Sequence, residues 1–128
     1  MTEILFKEES YEIVGVVYKV YNDLGFGYQE KYYYRPIRDE LTKAGFQIKE
    51  QLLTPLLYNN KSIGRYFLDF LINDRIVLEI KIANQVYPKA IKQVLGYLKA
   101  NNLKLGIIAV LNKDGVIIKR VLNERSDR

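Results

Sequence analysis

Two carboxylates and one lysine lie in the most apolar stretch of the sequence. Residues 69–82 read DFLINDRIVLEIKI, in which Asp69, Glu79 and Lys81 stand among isoleucine, leucine, valine and phenylalanine. Charged side chains are rarely buried unless they pair with an opposite charge or bind a metal. Mg²⁺ is typically bound by one or two carboxylates together with water and substrate phosphate, and a nearby lysine stabilises charge that builds on a phosphate. These residue types therefore point to metal-assisted chemistry on a phosphate ester.

The spacing of the three residues predicts that a β-hairpin brings them together. Side chains alternate across a strand, so Glu79 and Lys81 share one face. A three-residue loop at 73–75 pairs residue 72 with 76 and places Asp69 opposite Glu79. A two-residue loop would shift the register by one and turn Asp69 to the other face. The alternative interpretation is a structural Glu79–Lys81 ion pair near a strand end, with Asp69 on an exposed edge.

The hydrophobic periodicity predicts the order α-α-β-β-β-α-β-β. Pro36 interrupts the second helical pattern, where its ring would clash with the carbonyl of Tyr32, so we expect a kink there or a helix that restarts at Pro36. Glu30 begins the apolar stripe of that helix and should face the sheet, although a solvated acid near a helix start is an equally good interpretation. The predicted helices are 8–24, the segment from Glu30 to about Gly45, and 88–101. The predicted strands are 46–58, 63–73, 76–83, 105–111 and 116–122.

The last predicted helix separates a basic stripe from a core face. At 100° per residue, Lys89, Lys92 and Lys99 fall together on one side, whereas five apolar residues cluster on the other. Gln93 and Tyr97 lie on the boundary, where side chains could contact a substrate held between core and basic stripe. A simple Gln–Tyr pair on the helix surface is the alternative.

Composition limits the remaining possibilities. A chain of 128 residues fits a single domain, 1–128, and it contains no cysteine and no histidine, which excludes disulfides and an imidazole base. Residues 1–73 carry 9 Lys or Arg and 10 Asp or Glu, a net charge of −1, whereas residues 74–128 carry 11 and 5, a net charge of +6. This asymmetry fits either a polyanionic partner or a solvated basic face. With no apolar run long enough for a membrane span and no signal-peptide pattern, we expect a cytoplasmic protein without membrane contact.

Four motifs occur in an order that resembles the PD-(D/E)XK nuclease superfamily. Asp69, Glu79 and Lys81 have the spacing D-x9-E-x-K, and Gly27 to Tyr33 match G-x-x-E-x-x-Y, the signature of the small GxxExxY family. Gln93 to Tyr97 match the Q-x-x-x-Y pattern of exonuclease branches. The resemblance covers roughly residues 10–122 and implies an α/β fold, a restriction-endonuclease-like core (αβββαβ) with a central mixed β-sheet flanked by helices. The polar segment 123–128 is expected to fray.

The resemblance also implies an activity and a set of site residues. It implies a Mg²⁺-dependent nuclease, with Mn²⁺ as a possible substitute, acting on nucleic acid and on DNA more than RNA. Asp69, Glu79, Glu30 and the carbonyl of Ile80 would bind the metal, and Lys81 would position the attacking water. The residues expected to contact nucleic acid are Gln93, Tyr97, Lys89, Lys92 and Lys99. Two alternatives stay open: a non-catalytic module on the nuclease-like scaffold that binds nucleic acid or a protein, and a nuclease subunit active only in a homo-oligomer or larger assembly.

Overall fold

A five-stranded mixed sheet with three helices forms the whole of the described structure. The computed structural model describes residues 5–124. The helices are α1 (Lys7–Leu24), α2 (Lys31–Lys43) and α3 (Pro88–Ala100), and the strands are β1 (Ile48–Tyr58), β2 (Lys61–Ile72), β3 (Ile76–Ile82), β4 (Leu105–Asn112) and β5 (Gly115–Leu122). The strands lie in sequence order, with β3 and β4 parallel and the other neighbours antiparallel. The predicted element order and fold class are confirmed, and most boundaries fall within two residues.

The helices cover both faces of the sheet at its centre. On one face, buried residues of α1 and α2 such as Ile13 and Ile37 pack with Leu78 and Ile80 of β3. On the other face, Val94 and Leu98 of α3 pack with Val77. The crossover from β3 to β4 through α3 makes the parallel pair possible, since parallel strands need a long connection. Strand β3 is consequently buried on both faces, and Glu79 is its one buried charged residue.

Helix α2 is a single helix that contains Pro36. The predicted restart at Pro36 is therefore wrong. A proline removes one backbone hydrogen bond, but Tyr33, Ile37 and Leu41 are buried along the same helix and hold it against the core. Glu30 lies at the N-cap position with helical backbone angles (φ −49°, ψ −43°), immediately before the first helical residue.

Strands β1 and β2 form a long two-stranded ribbon. At one point along it, the side chains that faced one side of the sheet turn to the other side. Glu50 pairs with Phe70 and Leu52 pairs with Leu68, while Gln51 between them has a φ of +52°. Phe70 packs on the α1–α2 side, whereas Leu52 and Leu68 pack on the α3 side. If side chains alternated strictly along both strands, all of these residues would lie on one face of the sheet. The side-chain direction of the ribbon therefore inverts at Asp69. Beyond this point, residues 53–67 form an arm with exposed apolar side chains: Leu53, Leu56, Leu57, Tyr58, Ile63 and Phe67.

The polar tail begins later than predicted. Asn123 is buried, its backbone N–H donates to Lys104 O (2.9 Å), and its side-chain Nδ2 donates to Leu103 O (2.9 Å). These bonds fix the residue against the loop before β4, so fraying cannot begin there. Residues 125–128 of the predicted tail lie outside the described residues. Among residues 5–124, each helix is too short or too polar to cross a membrane.

Candidate active site

The hairpin between β2 and β3 brings Asp69 and Glu79 together. Ile72 pairs with Ile76 and Phe70 with Leu78, which confirms the three-residue loop. The backbone pairing of β2 with β3 ends at Phe70 and Leu78. Beyond it, the two strands are joined by hydrogen bonds between backbone N–H groups and carboxyl side chains. The Asp69 N–H donates to Glu79 Oε1 (3.0 Å), and the Ile80 N–H donates to Asp69 Oδ2 (2.7 Å). Each carboxyl thus accepts a backbone hydrogen bond from the strand opposite.

Burial makes this carboxyl pair electrostatically unfavourable. Glu79 is 2% exposed and Asp69 is mostly buried. Burial first, and then the charge of Glu79, raises the pKa of Asp69 to about 8. Burial also raises the pKa of Glu79, against the lowering effects of its bonds to Asp69 and of the Lys81 charge. In the absence of a cation, burial and mutual repulsion therefore favour a proton on the pair.

Lys81 lies beside the pair and reaches solvent. Its Nζ is 3.4 Å from Glu79 Oε2, and its side chain is 37% exposed. The ion pair of the structural interpretation is present, but Asp69 does not lie on an exposed edge as that interpretation requires. One ammonium at this distance also leaves Asp69 uncompensated, since the pKa of Asp69 stays high. The lysine alone does not neutralise the site.

Glu30 and Tyr34 complete the polar cluster from the side of α2. Burial chiefly raises the pKa of Glu30, the Asp69 charge adds to this effect, and Lys81 opposes it. Tyr34 opposes the rise in the pKa of both Glu30 and Asp69, and the Ile82 backbone N–H opposes it at Glu30 as well. Burial raises the pKa of Tyr34 far above its usual value, so the phenol stays protonated as a donor. Sequence reasoning missed Tyr34, although its position four residues after Glu30 placed it on the same helix stripe.

The donor set fits a divalent cation with hard oxygen ligands. Asp69 and Glu79 provide two carboxyls, and the Ile80 carbonyl opens toward β2, because the N–H and C=O of a strand residue point to the same neighbour. Two carboxylates with a carbonyl, water and phosphate suit Mg²⁺. Within residues 5–124, no three acidic side chains are grouped as a ready-made metal cluster. Glu30 lies near enough to the pair for the charges of Asp69 and Lys81 to act on its pKa.

Helix α3 supplies part of the predicted nucleic-acid surface to this site. Gln93 and Lys89 line a cavity together with Lys81. The Tyr66 hydroxyl of β2 donates to the Gln93 carbonyl (3.0 Å), which ties the helix to the strand that carries Asp69. The helix packs closely on the sheet because Gly106 of β4 faces Val94, and a Cβ at Gly106 would overlap the Val94 side chain. Sequence reasoning did not identify Tyr66 or Gly106, since neither stands in a motif.

The remaining predicted contacts, Tyr97, Lys92 and Lys99, do not line the cavity beside Lys81. Tyr97 packs against the α3-side core, and the charges that affect its hydroxyl are those of Lys49 in β1 and Asp74 in the β2–β3 turn. Lys92 and Lys99 are exposed. Lys99 follows Lys89 by ten residues, a distance of about 15 Å along a helix. The basic stripe therefore leads from the site toward the opposite end of α3.

A model of the PD-(D/E)XK nuclease superfamily matches residues 7–121. The crystal structure of SSO0001 is similar with a TM-score of 0.54 and 19% identity, covering 92% of this chain and 59% of that chain. An alkaline exonuclease (LHK-Exo) from Laribacter hongkongensis gives a TM-score of 0.51 and 13% identity, covering 97% and 73%. At these identities the two structures show a shared fold. No curated protein matches the sequence significantly.

Proposed function

We propose that this chain, which belongs to the PD-(D/E)XK nuclease superfamily, hydrolyses phosphodiester bonds in nucleic acid with a divalent cation. The observation that carries the proposal is the buried Asp69–Glu79 pair beside the partly exposed Lys81. We further propose Mg²⁺ as the ion, replaceable by Mn²⁺, and DNA as the preferred substrate. The G-x-x-E-x-x-Y segment, Gly27 to Tyr33, supports membership of the GxxExxY family.

The carboxyl pair would hold the cation. Asp69, Glu79 and the Ile80 carbonyl are the proposed ligands, and Glu30, whose pKa responds to the Asp69 charge, would bind the metal or orient its water shell. A bound divalent cation activates water and stabilises the leaving oxygen, so catalysis does not require histidine. Because burial and repulsion favour a proton on the metal-free pair, cation binding would release that proton, and affinity should rise with pH up to about 8.

Lys81 would act on water and phosphate. Its ammonium lies against Glu79 and is partly open to solvent, so it can hydrogen bond to an attacking water or to a phosphate oxygen that gains charge. Lys81 would not bind the metal itself, because an ammonium group only donates hydrogen bonds and has no lone pair to offer. Loss of Lys81 should therefore separate cleavage from metal binding.

The nucleic-acid backbone would follow α3. Lys89 and Gln93 lie at the cavity beside Lys81, and Lys92, Lys99 and Tyr97 continue along the helix. The phosphate contacts of the lysines would position the substrate without reading its sequence. The exposed apolar arm at 53–67 supports the further proposal that the protein works within an assembly, which size-exclusion chromatography with light scattering tests directly.

A cleavage assay tests the proposal. Labelled single- and double-stranded DNA and RNA are incubated with the protein in Mg²⁺, Mn²⁺ or EDTA, and we expect metal-dependent products from DNA first. Lys81→Ala should abolish cleavage while keeping the fold and the stabilisation by Mg²⁺. Lys19→Ala is the matched control, because Lys19 also pairs with a carboxylate, Asp23 (2.7 Å), but on the exposed face of α1.

Two outcomes would contradict the proposal. Wild-type protein that binds DNA but never cuts it would favour the binding module. A large loss of stability in Lys81→Ala, both with and without Mg²⁺, would favour a structural ion pair, because an uncompensated buried Glu79 costs about 3–5 kcal/mol.

A further inference from the structure

A cavity opens directly beside Lys81, on the side of the sheet covered by α3. Its volume is about 300 Å³, and its polar lining consists of Lys81, Gln85, Tyr87, Lys89 and Gln93. Ala83, Ala90 and Val110 form its apolar wall. Gln85 and Tyr87 belong to the loop between β3 and α3, and neither has a part in the metal chemistry described above.

The lining of this cavity is suited to a nucleotide. Its lining contains two ammonium groups and no carboxylate, and although Lys81 is paired with Glu79, the Lys89 ammonium can attract an anion. By contrast, the larger depression between α1 and α2 is lined by three acidic residues and two basic ones, Asp23, Asp39, Glu40, Arg35 and Lys43, so it has no excess of positive charge. Two amide side chains offer both donors and acceptors, the groups that recognise the edge of a nucleobase. Tyr87 is 47% exposed and offers an aromatic face for stacking.

The size of the cavity restricts what can enter. Ligand pockets for small molecules begin at about 300 Å³, which leaves room for one small ligand and excludes a stacked base pair. A base within a duplex would have to leave the stack to reach Tyr87, at a cost that an unpaired base avoids. The cavity therefore favours single strands, frayed ends or unpaired nucleotides.

We propose that this cavity, the base pocket (Lys81, Gln85, Tyr87, Lys89 and Gln93), binds the nucleobase of an unpaired nucleotide next to the bond to be cut. Tyr87 stacks on the base, Gln85 and Gln93 hydrogen bond to its edge, and the two lysines contact the adjoining phosphates. This inference rests on the proposed nuclease function for its cleavage step, whereas base binding itself needs no metal.

Binding in EDTA tests the base contact separately from cleavage. Fluorescence anisotropy is used with a short labelled single-stranded oligothymidylate and with the same strand carrying one abasic site at each position in turn. At one position, loss of the base should weaken wild-type binding by roughly 5- to 100-fold, the usual size of one base–aromatic stack. Tyr87→Ala should bind intact and abasic strands about equally. Tyr11→Ala is the control, because Tyr11 is a highly exposed tyrosine on α1, and it should retain the full difference.

The possible results separate this inference from the proposed function. Base-dependent binding that Tyr87→Ala removes supports the base pocket even when wild-type protein cuts nothing, and in that case only the nuclease proposal fails. If the protein cuts, Tyr87→Ala should lower the ratio of single-strand to blunt-duplex cleavage. The base pocket is refuted if abasic and intact strands bind alike to wild type, or if pyrophosphate displaces the strand from wild type and Tyr87→Ala equally well.

Discussion

Replacing Asp69 with asparagine should stabilise the metal-free protein at pH 8. The folded structure raises the pKa of Asp69 from 3.8 to about 8, so the folded protein binds more protons than the unfolded chain between these values. Stability therefore falls as pH rises from about 4 to about 8. Asparagine resembles the protonated acid, because its oxygen can accept the Ile80 N–H and its amide can donate to Glu79.

The size of this effect follows from the pKa difference. At 1.36 kcal/mol per pKa unit, a difference of about 4 sets a ceiling of about 6 kcal/mol. Relaxation and water entry reduce such values, so we expect Asp69→Asn to gain about 2–4 kcal/mol at pH 8 and less than about 1 kcal/mol at pH 5. For a domain of this size the gain at pH 8 corresponds to a rise in Tm of about 6 °C or more.

Urea unfolding and thermal melts in EDTA, at half-unit steps from pH 5 to pH 9, measure the effect. Asp74→Asn is the matched control, since Asp74 is an exposed carboxylate at the tip of the same hairpin, where it pairs with Lys49 (2.7 Å). It should change stability by no more than about 1 kcal/mol at any pH. Parallel pH profiles for wild type and Asp69→Asn would refute the view that this pair is electrostatically strained. Titration with Mg²⁺ should then raise the Tm of wild type, and much less that of Asp69→Asn.

Three further predictions concern the same region. Glu79→Gln should lose both cleavage and Mg²⁺ stabilisation, because it removes a charge that the cation needs, and cleavage that persists in this variant would exclude Glu79 as a ligand. Replacing Lys89, Lys92 and Lys99 by glutamine should weaken DNA binding. The slope of the log binding constant against log salt concentration should become shallower by up to about 0.9 for each duplex phosphate that is no longer neutralised. An unchanged slope would place the DNA elsewhere. Gly106→Ala should destabilise the protein by about 1–3 kcal/mol, because the new methyl group overlaps Val94. Gly64→Ala should not, because there is open space around Gly64. Equal urea midpoints for the two variants would contradict this packing.

The fold was predictable because the hydrophobic patterns are long and consistent. The continuous apolar run from Leu105 to Leu111 fits β4, whose residues are buried on both faces. The hairpin register followed from the charges themselves, since only the three-residue loop placed Asp69 opposite Glu79. The motifs also led to Glu30 and Gln93, both of which the structure brings to the polar cluster or to the adjoining cavity.

Other features depend on tertiary packing and have no local signal. The uninterrupted α2 could not be inferred from Pro36, because burial of Tyr33, Ile37 and Leu41 outweighs the missing hydrogen bond. The reversal of facing at Asp69 involves Gln51, a residue type with no preference for a positive φ. Gln85 and Tyr87 line the cavity from the loop before α3, and no sequence motif marks them.

The arm formed by β1 and β2 also bears on the solubility of the protein. Strand β1 lies at the edge of the sheet, and the segment LLTPLLY of this strand combines apolar, β-forming residues with no charge, a composition that favours intermolecular strand pairing. Pro55 stands in the middle of that segment and cannot donate a hydrogen bond to an incoming strand. Together with Lys61 and Arg65 on the neighbouring strand, it acts as a gatekeeper against aggregation.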